Sequence, residues 1–513
     1  MRFKLLLVIL LITAINMITL ADSNIVNYDT AWTFVYDGGK ANSGRNIYDY
    51  LFDVKASSDG CTFCIGETRD TSEMRNVLLI KLSPEGKVLL KRLYRFEEGG
   101  GGSSIIRAKN GDLIIGGYRY GDPLLMRTDS IGNIKWSTWY YDSLKSKSIL
   151  LQSATINSLR ETSSGRIICA IGEDFPGPAV DPLDNYAAYL EFDSLGTMTN
   201  WGEWWEEVGY KISGFSIEEL SEDRYVIAGN QAVIGINIAG TKTWQNSYSF
   251  WLDGVGTVTN NVTRVKKLRD GTLMVIGQAY EANCWTSYQR LSYDAWWSPI
   301  SSAGTNAAWD TTGRQGGDDK LYDFTQLNDG KIVLVGKRSS VTDAGGAWTI
   351  VTDSTGENIL WQKMTKIMYG TDESGKAVTP YSVCATPDNG FTIAGLYNCT
   401  EENGGPNGFV AHFIPKEITG INSISATLTN NFNVQSMAKG SRVIFNVNTD
   451  SPSPTEITIF NAAGKTIKTL LLKNNGGDNN SLSWNCTTIA KGLYFYRIKT
   501  IKNSFTGKIT IGM

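Results

Sequence analysis

The sequence predicts an all-β protein, a seven-bladed β-propeller followed by a small Ig-like β-sandwich. Glycine accounts for 53 of 513 residues and charged residues for only 19%, a composition typical of chains with many turns and large hydrogen-bonded surfaces. A glycine-terminated apolar strand recurs seven times between residues 30 and 415. Beyond that region the pattern changes to short alternating strands.

The repeat over 30–415 consists of a turn, an apolar strand and a terminal glycine. The terminal glycines lie 48 to 59 residues apart, at Gly66, Gly116, Gly172, Gly229, Gly277, Gly336 and Gly395. Most copies continue with a second hairpin whose last strand often contains tryptophan, as in 124–136 and 348–361. Two hairpins in about 50 residues are the four strands of one propeller blade. Seven copies therefore predict seven blades.

The two ends of the repeat region complement each other. The seventh copy stops after its third strand, 408–415, whereas 30–36 reads like the fourth strands 134–140 and 358–364. Pairing of the N-terminal strand with the last blade would remove two open sheet edges. We therefore expect a propeller over 30–415, closed by its N-terminal strand and preceded by a short lead at 22–29.

Residues 1–21 have the pattern of a signal peptide. Arg2 and Lys4 precede an apolar run over 5–20, and small residues stand before position 22. A membrane anchor is the alternative, but the run is short and Asn16 interrupts it. No other run approaches the roughly 20 apolar residues of a membrane helix, so we expect Sec export and no integral membrane segment in the mature chain.

Charge and composition exclude several classes of function. A net formal charge of −3 provides no basic surface for nucleic acid. A single histidine, His412, removes most histidine-based catalysis and metal binding. Seven cysteines are too few for a disulfide scaffold, and Cys61 and Cys64 should point to opposite faces of one strand. We expect no metal and no cofactor.

The last eighty residues form a separate region. A polar linker covers 416–431, and six or seven alternating segments over 432–513 are separated by Gly, Asn and Pro turns. Short alternating strands at this density predict a small β-sandwich.

A series of motif residues runs through 432–513 in order. They are Gly464, Trp484, Gly492, Tyr494, Tyr496, Gly507 and Lys508. The pattern resembles the type A C-terminal sorting domain of proteins exported by the type IX (Por) secretion system. The resemblance implies that the type IX machinery carries the protein across the outer membrane, to the cell surface or the medium. An accessory Ig-like domain without a sorting role is the alternative.

Candidate ligand-binding residues lie in the variable loops, which share one face of a propeller and commonly carry function. Aromatic residues outside the repeat's own tryptophan position are Tyr118, Tyr120, Trp204, Trp205, Trp285 and Trp309. Flat rings pack against the C–H faces of sugars, so we expect an extracellular polysaccharide or protein ligand. The alternative is that these rings seal contacts between blades.

No recognisable catalytic motif occurs in the chain. The glycine run 99–102 lacks the lysine and helix of a phosphate loop and is expected to be a flexible loop between blades. Glu203, Glu206 and Glu207 could hydrolyse a glycoside only if they were held at a suitable separation. The sequence favours a non-catalytic binding module. A carbohydrate-active hydrolase or lyase and a purely structural surface protein are the alternatives.

Overall fold

A computed structural model describes two compact units, Met1–Pro415 and Lys416–Met513. In the first unit it describes residues 27–140, 154–173, 187–204, 215–229, 232–252, 256–282, 291–300, 310–311, 319–340, 343–365, 378–397 and 406–415. In the second it describes residues 416, 433–439, 442–448, 455–461, 465–472, 480–487, 489, 492–499 and 504–511. These residues contain strands and no helix, which confirms the all-β class.

The described part of the first unit forms seven antiparallel sheets that resemble propeller blades. Their strands are β1 Tyr28–Tyr36, β2 Asp49–Ala56, β3 Thr62–Arg69, β4 Arg75–Leu82, β5 Val88–Tyr94, β6 Gly100–Arg107, β7 Leu113–Arg119, β8 Asp122–Thr128, β9 Ile134–Trp139, β10 Ala154–Glu161, β11 Ile167–Glu173, β12 Ala187–Phe192, β13 Met198–Trp204, β14 Ser216–Ser221, β15 Arg224–Gly229, β16 Ala232–Asn237, β17 Lys242–Ser247, β18 Ser249–Leu252, β19 Gly256–Lys267, β20 Leu273–Ala282, β21 Leu291–Ile300, β22 Asp310–Thr311, β23 Asp319–Gln326, β24 Ile332–Ser340, β25 Asp343–Thr352, β26 Ile359–Thr365, β27 Val378–Ala385, β28 Phe391–Tyr397 and β29 Asn407–Pro415.

Six of these sheets contain consecutive strands, and five of the six have four strands: β2–β5, β6–β9, β10–β13, β14–β17 and β23–β26. The sheet β18–β22 has five strands, so the expectation of four strands in every repeat is wrong there. Strand β19 has 12 residues, and its first part offers an edge that β18 covers by pairing Ser249 with Thr259.

The seventh sheet joins the two ends of the first unit. Strand β1 pairs with β29, in the order β1-β29-β28-β27, with Phe34 opposite Val410. Its Trp32 ring stacks on His412 at 5.4 Å between ring centroids. The Trp32 Nε1 donates a hydrogen bond to the carbonyl of Pro84 at 2.7 Å. The N-terminal strand therefore ties the last sheet to the first.

We call the first strand of each repeat its inner strand; these are β2, β6, β10, β14, β19, β23 and β27. Each inner strand contacts the next in this order, and β27 contacts β2. Apolar cores fill the spaces between adjacent sheets; Ile65 and Val77 of the first repeat, for example, share a buried cluster with Ile105 and Leu113 of the second. The inner strands therefore form a closed ring.

A β-bulge interrupts six of the inner strands at equivalent positions, and it explains the repeated glycine at Gly66, Gly277, Gly336 and Gly395. The bulges lie at Leu51/Asp53, Gly102/Ser104, Ile156/Ser158, Val262/Arg264, Leu321/Asp323 and Pro380/Ser382. A Cβ atom built on Gly66 or Gly336 would lie 1.8 Å from the carbonyl oxygen of Tyr50 or Lys320, respectively. Only glycine fits where the bulged backbone comes so close.

The expectation of a flexible loop at 99–102 is wrong for three of its four residues. Gly100, Gly101 and Gly102 open strand β6. A Cβ atom on Gly102 would lie 2.6 Å from Ile65, and one on Gly101 would lie 2.7 Å from the Tyr118 ring. The glycines therefore serve close packing of the second sheet against the first.

Aromatic side chains fix the second hairpin of several repeats to the preceding sheet. In each case an aromatic O–H or N–H donates to the carbonyl of the turn glycine at 2.8 Å, in the pairs Tyr94–Gly132, Tyr140–Gly196 and Trp297–Gly356. These turn glycines have φ near +80°, a conformation that other residues rarely adopt. The repeated turn glycine thus supplies both the turn and its attachment.

The C-terminal unit contains two antiparallel sheets, β30-β31-β34 and β33-β32-β35-β36. Their strands are β30 Asn433–Lys439, β31 Arg442–Asn448, β32 Thr455–Asn461, β33 Thr466–Leu472, β34 Asn480–Asn485, β35 Gly492–Lys499 and β36 Ser504–Ile511. Phe445 and Trp484 of the first sheet share one buried cluster with Ile457, Tyr494 and Tyr496 of the second. The two sheets therefore pack around a common core.

Most of the motif residues in this unit belong to its strands. Trp484, Tyr494 and Tyr496 are buried, with Trp484 edge-on to Tyr494 at 6.2 Å between centroids. Gly492 begins β35, and Gly507 and Lys508 lie in β36 opposite Tyr496 and Phe495. Gly464 lies outside the described residues. The aromatic part of the motif is thus a set of core residues.

We predict that Gly336→Ala destabilises the first unit by roughly 3 kcal/mol or more, because the new Cβ would meet the carbonyl of Lys320. Gly330→Ala in the same repeat would place its Cβ in ordinary van der Waals contact with Ser354 at 3.6 Å, so that it has only the cost of φ +93°, about 1–2 kcal/mol. Urea unfolding of both variants measures the difference. Equal losses of stability would contradict the role of the bulge.

Candidate functional site

The predicted ligand-binding residues fall partly within the described chain. The structure describes the backbone and side chain of Tyr118 and Tyr120. Trp204 is the last residue of strand β13, and only its backbone is described. Trp205, Trp285 and Trp309 lie outside the described residues. The expectation that Tyr118 lies in a loop is wrong, because β7 continues to Arg119 and β8 begins at Asp122. The hairpin loop consists only of Tyr120 and Gly121.

Tyr120 is displayed to solvent in an unusual backbone conformation. Its φ is 51° and that of Gly121 is 82°, as in a type I′ turn, where asparagine usually takes the first position. A left-handed conformation costs a bulky residue about 1–2 kcal/mol. The Tyr120 side chain is nevertheless 74% exposed. Strain of this kind at an exposed aromatic residue is a feature of functional positions.

The neighbour of Tyr120 belongs to a cation–aromatic stack. The Arg119 guanidinium lies 3.7 Å from the centroid of Trp139 and 5.2 Å from that of Phe96. Glu98 holds it with an Nη2–Oε2 distance of 2.8 Å. The Trp139 side chain is 48% exposed. We call Tyr120, Arg119, Trp139 and Phe96 the loop platform.

Tyr118 is half-buried and contacts the first sheet. Its hydroxyl donates to Glu67 Oε2 at 2.5 Å and accepts from Arg75 Nη1 at 3.0 Å. Burial and the Glu67 carboxylate raise the pKa of Tyr118 well above its ordinary value. Burial and Glu67 also raise the pKa of Tyr50 on β2. Glu67 therefore links Tyr118 to the ring of inner strands.

Four half-buried or buried aromatic side chains line one part of the ring. Tyr50 stacks on Phe52 at 5.6 Å between centroids, Phe52 lies 5.7 Å from Tyr381, and Tyr381 lies 5.7 Å from Tyr322. Phe52, Tyr322 and Tyr381 are the bulged residues of β2, β23 and β27. We call these four residues the aromatic wall.

The residue after each bulge on the same strands is polar, and these residues form a buried network. The Ser382 hydroxyl lies 2.6 Å from Asp53 Oδ1 and 3.1 Å from Asp323 Oδ2, so its one proton serves both carboxylates. Asp53 also accepts from the Ile105 N–H and pairs with Lys55 at 2.8 Å. Burial alone would raise the pKa of Asp53, but these donors lower it below its ordinary value.

Asp323 is held by the cations of β19. Lys266 Nζ lies 2.6 Å from Asp323 Oδ1, and Arg264 Nε lies 3.6 Å from it. Against the effect of burial, Lys266 and Arg264 lower the pKa of Asp323 to about 2. Burial lowers the pKa of Lys266 to about 8, opposed by Asp323 and reinforced by repulsion from Lys55 and Arg160. These cations therefore lie near one another.

The network continues around the whole ring, because a side-chain hydrogen bond joins every pair of neighbouring inner strands. In ring order the bonds are Ile105 N–H to Asp53, Ser103 Oγ to the Ile156 carbonyl, Ile217 N–H to Ser158, Ser216 Oγ to the Val265 carbonyl, Thr263 Oγ1 to the Leu321 carbonyl, Val383 N–H to Asp323, and Ser382 Oγ to Asp53. Arg160 adds an ion pair to Glu218 at 3.1 Å.

The sequence did not predict the polar residues of this network, which we call the axial set. Its signal is an alternation of polar and apolar residues, such as Asp53-Val54-Lys55 and Arg264-Val265-Lys266. Alternation of this kind usually marks a strand with one face in water. Only the ring closure and the bulges bring these side chains together from different repeats.

Other residues singled out from the sequence occupy structural positions. His412 is buried, with Nε2 2.9 Å from Asp388 Oδ2 and Nδ1 3.0 Å from Thr392 Oγ1. Cys61 and Cys64 are buried free thiols, and burial raises the pKa of both.

Two kinds of feature are absent from the described residues. Their His, Cys, Asp and Glu side chains form no group of three suited to a metal ion. No helix in the described part of the chain has the length and apolarity needed to cross a membrane.

Comparison with protein families gives one match at the C-terminus. Residues 441–512 match the model of the secretion system C-terminal sorting domain. This match confirms the resemblance deduced from the motif residues. A comparison with curated proteins finds no matching relative.

Comparison with solved structures finds distant likenesses. A virginiamycin B lyase from Staphylococcus aureus is 10% identical, with 75% of this chain and 99% of that chain covered and a TM-score of 0.40. PorZ, a surface component of the type IX secretion system of Porphyromonas gingivalis, is 11% identical, with 90% and 70% covered and a TM-score of 0.33. A Bacteroides caccae protein of unknown function is 11% identical, with 63% and 96% covered and a TM-score of 0.37.

We predict that Ser382→Ala destabilises the first unit by about 1–3 kcal/mol, because it removes a donor shared by two buried carboxylates. Ser104→Ala is the matched control: Ser104 Oγ lies 3.4 Å from Asp53, whose same oxygen already accepts from Ile105 N–H. Urea unfolding of the two variants should show the larger loss for Ser382→Ala. The reverse order would contradict a bridging role for Ser382.

Proposed function

Since residues 441–512 belong to the family of secretion system C-terminal sorting domains, we propose that this chain is a type IX cargo that binds an extracellular glycan. The sorting domain indicates export by type IX secretion to the cell surface or the extracellular space. In this proposal residues 1–21 direct Sec export, 22–29 lead into the propeller, 416–431 form a linker, and 432–513 form an Ig-like sandwich.

The N-terminal unit is, in this proposal, a seven-bladed propeller over 30–415. Seven sheets among its described residues and the ring of contacts among their inner strands support this architecture. The pairing of β1 with β29 supports closure by the N-terminal strand. Such a ring presents its variable loops on a rigid scaffold, which is a suitable base for ligand binding.

The observation that carries the binding proposal is the exposed Tyr120 ring on a strained two-residue turn. Its chain neighbour Arg119 stacks on the half-exposed Trp139. Aromatic faces suit the C–H faces of sugars, and Arg119 and Glu98 supply polar groups for hydroxyls. A glycan fits this combination better than an apolar protein surface, because the aromatic area is small and interspersed with charge.

We predict that deletion of 432–513 leaves the first unit folded but retained in the periplasm, because the export signal is lost. Immunoblots of periplasm, cell surface and medium measure this. Leu471→Ala, which changes an exposed side chain of the same domain, serves as the control and should be exported normally. Normal surface or medium levels of the deletion variant would disprove the sorting role.

We predict that the full chain binds a subset of polysaccharides on a glycan array and that Tyr120→Ala weakens this binding at least about tenfold, from the loss of ring stacking. The unfolding midpoint should not fall, since Tyr120 is 74% exposed. Leu195→Ala, equally exposed at 74% on another hairpin turn, is the control.

The outcome of the glycan experiment separates the alternatives. Undiminished binding by Tyr120→Ala would reject the loop platform. Capture of a protein without any glycan would replace the ligand class. Turnover of a bound polysaccharide that Glu203→Gln abolishes would convert the proposal into a hydrolase or lyase.

A further inference from the structure

The inner strands carry a second set of residues suited to a ligand, at and next to their bulges. We propose that the aromatic wall and the cations beside it bind the carboxylate-bearing unit of an acidic sugar chain, that is, a uronate residue. This inference rests on the proposed glycan binding and names its substrate class. It assigns the axial residues a role separate from that of the loop platform.

The pseudo-symmetry of the ring provides an internal control for this inference. The bulged positions of β6, β10 and β19 carry Ser103, Asn157 and Thr263. The same positions of the three adjacent strands β23, β27 and β2 carry Tyr322, Tyr381 and Phe52. Ring closure alone works with small polar residues at the first three positions. The aromatic residues therefore exceed what the fold requires, and they are confined to one side.

In each ion pair of this set the cation is more exposed than its carboxylate. Side-chain exposure is 27% for Lys55 against 12% for Asp53, and 18% for Lys266 against 3% for Asp323. Arg160 is 22% exposed and its partner Glu218 is 15% exposed. A ligand that reaches the axis thus encounters ammonium and guanidinium groups first.

The charge balance of this set is positive. The cations are Lys55, Arg160, Arg264 and Lys266, and the carboxylates are Asp53, Glu218 and Asp323. Arg264 and Lys266 share the carboxylate of Asp323 in a partly dehydrated space. A bound anion offsets the mutual repulsion of the cations there more strongly than it would in bulk water.

The wall and the cations adjoin each other through the backbone. Phe52 directly precedes Asp53 and lies within the same bulge, and Tyr322 is placed in the same way before Asp323. A uronate offers one apolar ring face for stacking and one carboxylate for the cations, which matches both components. A neutral sugar would offer the cations no charge of its own, and inorganic phosphate would leave the wall unused.

The test uses chain 22–513 and two probes that differ only at their carboxyl groups, which are charged in one and neutral in the other. Titration calorimetry compares linear tri-galacturonate with the same trimer methyl-esterified at its carboxyl groups. We expect the acid to bind at least about tenfold more tightly than the ester, and this preference should shrink between 50 mM and 500 mM NaCl. Equal affinity for acid and ester, or no binding of the acid, would overturn the proposal.

Substitutions test where tri-galacturonate binds. Tyr322→Ala and Lys55→Gln should each weaken binding of the acid about tenfold, with unfolding midpoints measured for each. Lys331→Gln is the matched control, because Lys331 also pairs with an aspartate two residues away, Asp329, but at a turn between the first and second strands of its repeat. Loss of acid binding in Lys331→Gln as large as that in Lys55→Gln would overturn the axial location.

The loop platform keeps the two proposals distinguishable. Tyr120→Ala should leave tri-galacturonate binding unchanged while it reduces binding on the glycan array. If Tyr120→Ala abolishes binding of the acid and Tyr322→Ala does not, the axial inference fails and the proposed function stands. If array binding fails while the acid still binds at the axis, the loop platform fails instead.

Discussion

The structure of the first unit depends on the hydrogen bonds that join its seven inner strands around the axis. Each sheet buries apolar side chains against its neighbours, but such contacts are non-directional and do not fix the register of one sheet against the next. The side-chain hydrogen bonds between each pair of neighbouring inner strands do fix this register. Asp53 and Asp323 are costly to bury unless all their partners are in place. The network therefore favours the complete ring, in which Ser382 connects these two carboxylates.

The bulges position the side chains of this network. They also impose a steric restriction on the adjacent strand. A bulge re-aims the side chains of its strand, so that Asp53, Ser104, Ser158, Arg264, Asp323 and Ser382 meet their neighbours. The displaced backbone also occupies the space of a Cβ on the adjacent strand, which restricts Gly66 and Gly336 to glycine. At Gly66, Gly277, Gly336 and Gly395 the glycine that marks the repeat in the sequence is thus a consequence of the bulges that build the polar axis. A glycine that looks in the sequence like a simple strand terminator therefore marks a close backbone contact inside the ring.

The sequence predicts the features that depend on neighbouring residues. It does not predict the groups of side chains that folding brings together from distant repeats. The all-β class and the repeated hairpins are predictable, because strand alternation and turn glycines act over a few residues. The axial set is not, since Asp53, Arg264 and Ser382 lie in different repeats and show only ordinary alternation. The strand at Gly100–Gly102 was mistaken for a loop because close packing against Ile65 imitates the composition of a turn. Tyr118 was mistaken for a loop residue because the two-residue turn at Tyr120 carries tyrosine in place of asparagine.

The two units separate the question of where the protein goes from the question of what it binds. Trp484, Tyr494 and Tyr496, which carry much of the sorting-domain resemblance, are buried in the core of the second unit. They report that a particular small fold is present, and they would do so behind any N-terminal unit. In our proposal the ligand is instead decided by departures from repeat symmetry in the first unit. Phe52, Tyr322 and Tyr381 replace small polar residues at equivalent bulges, and Tyr120 occupies a turn that disfavours it. In a repetitive fold such exceptions are the positions where the scaffold alone does not explain the residue.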